Sequence, residues 1–211
     1  MKKLFVNSTS GTLRSGWRIF VFFVILIAIT PPVMIGTRAI LGSLRGGSPL
    51  QIALLAVTAT ISVVIARKYI DKKPIKSLGL HWDRYAFLDV VSGILNSALV
   101  MAGIFFLLLG LGLIEFQGFS FWQNPNLDVQ TSAWSAVISV LMTLTVVAWW
   151  EELVFRGYFF RNLVDGTNLI WATVISSLLF GLIHSINPNT TLLSTFMITL
   201  IAPVLATYSS A

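Results

Sequence analysis

Trp149-Trp150-Glu151-Glu152-Leu153-Val154-Phe155-Arg156 places two adjacent carboxylates and a guanidinium inside an apolar run reaching from Trp134 to Phe160. On an α-helix Glu152 and Arg156 stand four residues apart on one face and can pair. Glu151 lies about 100° further round the helix and needs a different partner. A charge near a bilayer's centre costs about 2.5–3.5 kcal/mol on insertion scales, so three in one run imply a purpose. At 1.5 Å of rise per residue, Glu151 is about 25 Å from Trp134 and about 14 Å from Phe160. It therefore falls inside the apolar segment, off its middle, and is expected to face the bundle interior or a water-filled cavity. The plainer reading makes the charges mark the membrane surface, with Trp149 and Trp150 as an aromatic belt. It fits less well, because Leu153, Val154, Phe155, Tyr158, Phe159 and Phe160 continue the apolar character beyond the cluster.

The rest of the chain agrees with a membrane setting. Apolar residues make up 56% of the 211 and charged residues 10%, with mean hydropathy +0.86. A soluble domain carries about 25% charged residues, so an all-α polytopic bundle is expected. The net charge of +6 does not point to nucleic acid, because Lys and Arg gather in loops and at helix ends, as the positive-inside bias requires. With no cysteine, disulfides, thiolate metal sites and a Cys nucleophile are excluded. The start does not read as a cleavable signal, since no short apolar core follows the polar residues 1–16.

About six spans are expected, in one membrane domain covering residues 17–211 behind an arm of residues 1–16. They run from Trp17 to Ile35, with Pro31-Pro32 kinking or ending its second half, then 50–66, 87–114, 133–160, 169–184 and 192–208. Arg67–Arg84 is the most basic connection, and Asp89 suits the start of the third helix. Residues 115–132 hold no base and read as an interfacial loop. Asn187-Pro188-Asn189 breaks the chain, and Thr190 or Thr191 can cap the last helix. The basic arm, the 67–84 connection and the 156–166 turn share one side by alternation, so the N-terminus is expected in the cytoplasm. Arg38 and Arg45 on the other side are the exception.

The second chemical feature is Phe180-Gly181-Leu182-Ile183-His184, closing the fifth span. In ideal full antiparallel spans Glu151 and His184 would sit too far apart; a fifth helix of about 15 residues lets His184 stop mid-membrane. A carboxylate with an imidazole partner can hold one water and deprotonate it for attack on a peptide carbonyl. Burial and a neighbouring cation act oppositely on a carboxylate, so such a site can be poised near neutrality. Glu152–Arg156 would then be an internal pair fixing the helix face. Other protease signatures, His-Glu-x-x-His, Gly-x-Ser-x-Gly and paired intramembrane aspartates, are absent. No cofactor is expected. Zinc needs three protein ligands, which Glu151, Glu152 and His184 supply only awkwardly, leaving a metal at Glu151 and His184 as the weaker alternative. His81, in the loop Leu80-His81-Trp82, reads as an interface residue.

These residues resemble the CPBP intramembrane proteases, which include the type II CAAX prenyl endopeptidases and bacteriocin self-immunity proteins. Glu151, Glu152 and Arg156 match the first motif, Glu-Glu-x-x-x-Arg, with Phe155 and Gly157 beside it. Phe180 and His184 match the second, Phe-x-x-x-His. Ser15-Gly16-Trp17-Arg18, Ser77-Leu78-Gly79-Leu80 and Asn187-Pro188 also resemble family positions. The resemblance implies a multi-pass protease, by analogy in a bacterial plasma membrane, acting on a membrane protein or peptide. In it Glu151 is the general base, His184 its partner, and Glu152 with Arg156 the supporting shell.

The family's third motif, a later His followed four residues on by Asn, has no match after His184, and Ile201–Tyr208 fits the pattern poorly. The expectation is a C-terminally incomplete chain, truncated or frame-shifted. Without oxyanion support worth about 3–4 kcal/mol, its activity would fall roughly a hundredfold or more. Two other readings follow: a non-catalytic membrane scaffold or immunity-type partner, and a proton or ion relay through Glu and His. The relay suffers from the lack of a second intramembrane acid–base site.

Overall fold

The computed structural model describes residues 5–6, 11–42, 48–80, 83–118 and 133–208. Lys2, Lys3, Arg45, His81, Trp82 and residues 119–132 of the expected interfacial loop lie outside them. Six main helices follow one another: α1 Ser15–Leu41, α2 Pro49–Ile65, α3 Arg84–Gly110, α4 Ala133–Glu151, α5 Leu169–His184 and α6 Leu192–Tyr208. No strand occurs among the described residues, and the protein is an all-α membrane bundle. Among the described residues four segments are long and apolar enough to cross a bilayer: Ser15–Ile40, Pro49–Ile70, Arg84–Gly110 and Val137–Gly166. α5 and α6 are shorter, at 16 and 17 residues.

Two helices change form near their ends. α2 continues as a π-helix over Ala66–Ile70, and α4 as a longer one over Glu152–Phe160 before Arg161–Gly166 returns to α geometry. A π-helix closes each hydrogen-bonded loop with one residue more than an α-helix, and such widened turns favour functional sites. The wheel angles expected around Glu152 are altered accordingly.

Helix ends follow the capping chemistry. Ser48 Oγ accepts from Gln51 N at 3.3 Å, Asn168 Oδ1 from Trp171 N at 2.9 Å, and Thr191 Oγ1 from Ser194 N at 3.1 Å. Side-chain oxygens here satisfy amides that the first helical turn leaves unpaired. One expectation needs correction: Asp83, not Asp89, starts α3, accepting from Ala86 N at 2.8 Å. Of the two alternatives at Pro31-Pro32, a kink or an end, the end does not occur, since α1 runs on through both to Leu41. In an apolar surround a broken helix would expose more unsatisfied backbone than the two carbonyls the prolines release.

The described chain divides into two compact units. Leu80–Val140 forms one, containing α3 and the start of α4; Phe105 packs edge-on against Phe106 and Phe116. Met1–Gly79 with Leu141–Ala211 forms the other. In that unit the small buried face of α2, Ala56, Ala59, Ser62, Val63 and Ala66, lets helices approach closely. Phe22 of α1, Ala59, Val63 and Ala66 pack with Leu153, Val154, Phe155 and Tyr158 in one apolar core.

Beside this core runs a buried polar network. Asp71 accepts from Arg67 at 2.8 Å, from Tyr158 at 3.1 Å and from Asn162 at 3.2 Å. Arg67 also donates to Ser77 Oγ at 2.6 Å. Arg18 donates to Asp165 at 3.3 Å and to the Leu13 carbonyl at 2.6 Å. Arg67 and Asp71, read from sequence as part of the most basic connection, are thus buried within the bundle. Their charges are tolerable there because each is paired and hydrogen-bonded.

The last two helices meet at a glycine. A Cβ built on Gly181 of α5 would stand 1.9 Å from Thr199 Oγ1 and 3.0 Å from Thr199 Cβ. Turning the hydroxyl away would break its 2.9 Å bond to the Thr195 carbonyl. Gly181→Ala is therefore expected to cost about 1–3 kcal/mol of stability by overpacking. Adding Thr199→Ala should restore most of the loss, as measured by thermal unfolding in detergent.

Candidate functional site

The hairpin of α4 and α5 sets the register of the site. α4 and its π and α continuations end at Gly166, Asn168 caps α5, and α5 begins at Leu169. Glu151 is fifteen residues before Gly166, and His184 is fifteen residues after Leu169. The two arms thus match in residue count, and the two side chains come level, 3.9 Å apart. A turn follows at once, with Asn187 N donating to the His184 carbonyl at 3.1 Å. The short α5 thus removes the mismatch expected of two full spans.

His184 Nε2 lies 3.9 Å from Glu151 Oε1. Both side chains are mostly covered by protein, 20% and 23% exposed respectively. On the other side of the ring, Nδ1 is 2.8 Å from the Phe180 carbonyl. A carbonyl only accepts, so Nδ1 carries a proton. In the neutral ring this leaves the Nε2 lone pair toward Glu151. Phe180 packs on His184 with ring centroids 4.3 Å apart, and Phe155 meets Phe180 edge-on at 5.3 Å. These aromatic contacts hold the imidazole by packing as well as by hydrogen bonding.

Glu152 and Arg156 form an ion pair four residues apart. Glu152 is half-exposed, so the two adjacent glutamates diverge, as the sequence predicted. Held by Arg156, Glu152 does not join Glu151 and His184. Among the described residues no three His, Asp or Glu side chains gather to hold a metal ion.

Sequence reading missed the polar network around Asp71. Tyr158 and Asn162 occupy the helix that carries Glu151, and their bonds to Asp71 fix that helix against the end of α2. The available signal was small: Ser77 and Arg18 fall in segments that resemble the family, and both enter this network. The Ser15–Arg18 segment opens α1.

Residues 132–210 match the Rce1-like family, described as type II CAAX prenyl endopeptidase Rce1-like. The match takes in both motifs and extends through Ile201–Tyr208, the stretch that seemed to fit poorly. No curated protein and no solved structure matches the chain. Both Glu-Glu-x-x-x-Arg, from the end of α4 into its continuation, and Phe-x-x-x-His on α5 lie inside the matched segment, so this part of an integral membrane protein is similar to the CAAX-protease-like family.

Proposed function

We propose that the protein is a membrane endopeptidase in which Glu151 and His184 activate one water for attack on a peptide bond. The observation that carries this reading is the 3.9 Å approach of Nε2 to Oε1, with the far ring nitrogen held by the Phe180 carbonyl. The gap is too long for a direct hydrogen bond, and a water set to one side can reach both acceptors at ordinary lengths. Its two hydrogens then point at Glu151 and at His184, turning an oxygen lone pair toward the substrate carbonyl.

Glu151 takes one proton as the water oxygen bonds to the carbonyl carbon. As the carbon–nitrogen bond breaks, Glu151 returns that proton to the leaving amine, so the enzyme ends unchanged. His184 orients the water by accepting its second hydrogen at Nε2. Glu152 and Arg156 brace the helix face beside it. The basic end is assigned to the cytoplasm; in support, Arg18, Lys73 and Asp165 meet at that end, while residues 115–132 carry no base.

A test uses purified protein in lipid nanodiscs with prenylated and unprenylated CAAX peptides as probes, and mass spectrometry of the products. Cleavage is expected, with the rate falling about a hundredfold or more in His184→Ala. Equal cleavage by wild type and variant, or no cleavage of either probe by wild type, would reject the assignment.

A further inference from the structure

The geometry points to a binding site for one anionic phospholipid at the basic end of the bundle, in a cavity between the start of α1 and the end of the α4 continuation. This cavity encloses 840 Å³ and is lined by Arg14, Trp17, Phe20, Leu163 and Asp165 among others, a volume within the range of small-molecule sites. Its position argues for lipid. The apolar spans begin at Ser15 and end at Gly166, so residues 14 and 165–167 stand at headgroup level while Trp17, Phe20 and Leu163 reach toward acyl depth. The two backbones nearly touch at the floor, where a Cβ on Gly166 would lie 2.6 Å from Ser15 Cβ.

Charge selects the headgroup. Asp165, the acid in the wall, is already bound by both Arg18 and Lys73. That leaves two cations on one anion. Arg14, exposed at the rim, pairs with no acid among the described residues. The rim is therefore net positive and suits a phosphodiester. The aromatic wall below, where Trp17 packs edge-on against Phe20 at 5.7 Å, suits the first segment of an acyl chain. Aromatic side chains at the interface anchor in this way, and basic pockets between spanning helices take anionic headgroups.

The experiment titrates the purified full chain in dodecyl maltoside with phosphatidylglycerol, phosphatidylcholine or sodium phosphate alone. Bound lipid is counted by native mass spectrometry, and thermal stability is followed by tryptophan fluorescence. Phosphatidylglycerol should bind at one saturable site and raise the unfolding temperature; phosphatidylcholine and phosphate should not. Arg14→Gln should weaken phosphatidylglycerol about fivefold, the effect of one interfacial cation. Arg38→Gln, an equal charge change at the other end of α1, should leave it unaltered, and Phe20→Ser should also weaken binding. Equal binding of the two lipids, equal affinity in Arg14→Gln and wild type, or the same stabilisation by free phosphate would overturn the proposal. None of these readouts depends on peptide hydrolysis.

Discussion

Glu151→Gln is expected to lower peptide hydrolysis by about 10²–10⁴-fold, the usual contribution of a positioned general base. The amide has nearly the shape of the carboxylate and can still hold water, but it cannot accept the proton that attack releases. The loss should fall on kcat, with KM little changed, because the interaction removed is one made in the transition state. Stability should barely move, since the Glu151 side chain touches His184 only at 3.9 Å. Glu151→Asp keeps the charge and shortens the arm; a misplacement of about 1 Å can itself cost a hundredfold. Glu152→Gln should do much less, because the half-exposed Glu152 engages Arg156 rather than the imidazole. Rates on the same peptide probe, beside unfolding temperatures for each variant, check the set. A Glu151→Gln protein keeping a third of wild-type activity would remove the base from the mechanism.

Asp71→Ala is expected to be the most damaging substitution for the fold, at about 3–5 kcal/mol, the cost of stripping one partner from a buried ion pair. The Asp71 side chain is 0% exposed and that of Arg67 3%. Removing the carboxylate leaves the guanidinium with Ser77 alone, Tyr158 with only a 3.4 Å bond to the Arg18 carbonyl, and Asn162 with only its 3.1 Å bond to the Tyr158 carbonyl as donor. Tyr158→Phe deletes a single donor and should cost about 0.5–1.5 kcal/mol. Replacing both charges with apolar residues, as in Arg67→Met with Asp71→Leu, should recover much of the loss, because no isolated charge then remains buried. Thermal or denaturant unfolding in detergent measures the series. A loss below about 1 kcal/mol in Asp71→Ala would place these residues at a surface.

The hairpin was the most legible part of the chain. α5 starts at Leu169 and ends at His184, where apolar run length and the Asn187-Pro188 break placed its ends. The diverging glutamates and the Glu152–Arg156 pair also follow from helical spacing alone. The Asp71 network was not legible, because Arg67 and Asp71 look like the polar end of a span. Their burial depends on Tyr158 and Asn162, more than eighty positions away. Local pattern carries no information about such a partner. The π-helical stretches were hidden for a related reason: tertiary packing selects the wider turn, and the apolar sequence 153–155 suits either form.

The matched arms of the α4–α5 hairpin make this protein a molecular ruler. A residue gained or lost in one arm alone would rotate its reactive group away and lift it out of plane with the other. Length changes between Glu151 and Gly166 are therefore tolerable only when compensated between Leu169 and His184. Engineers altering the depth of the Glu151–His184 pair would have to edit both stretches in step.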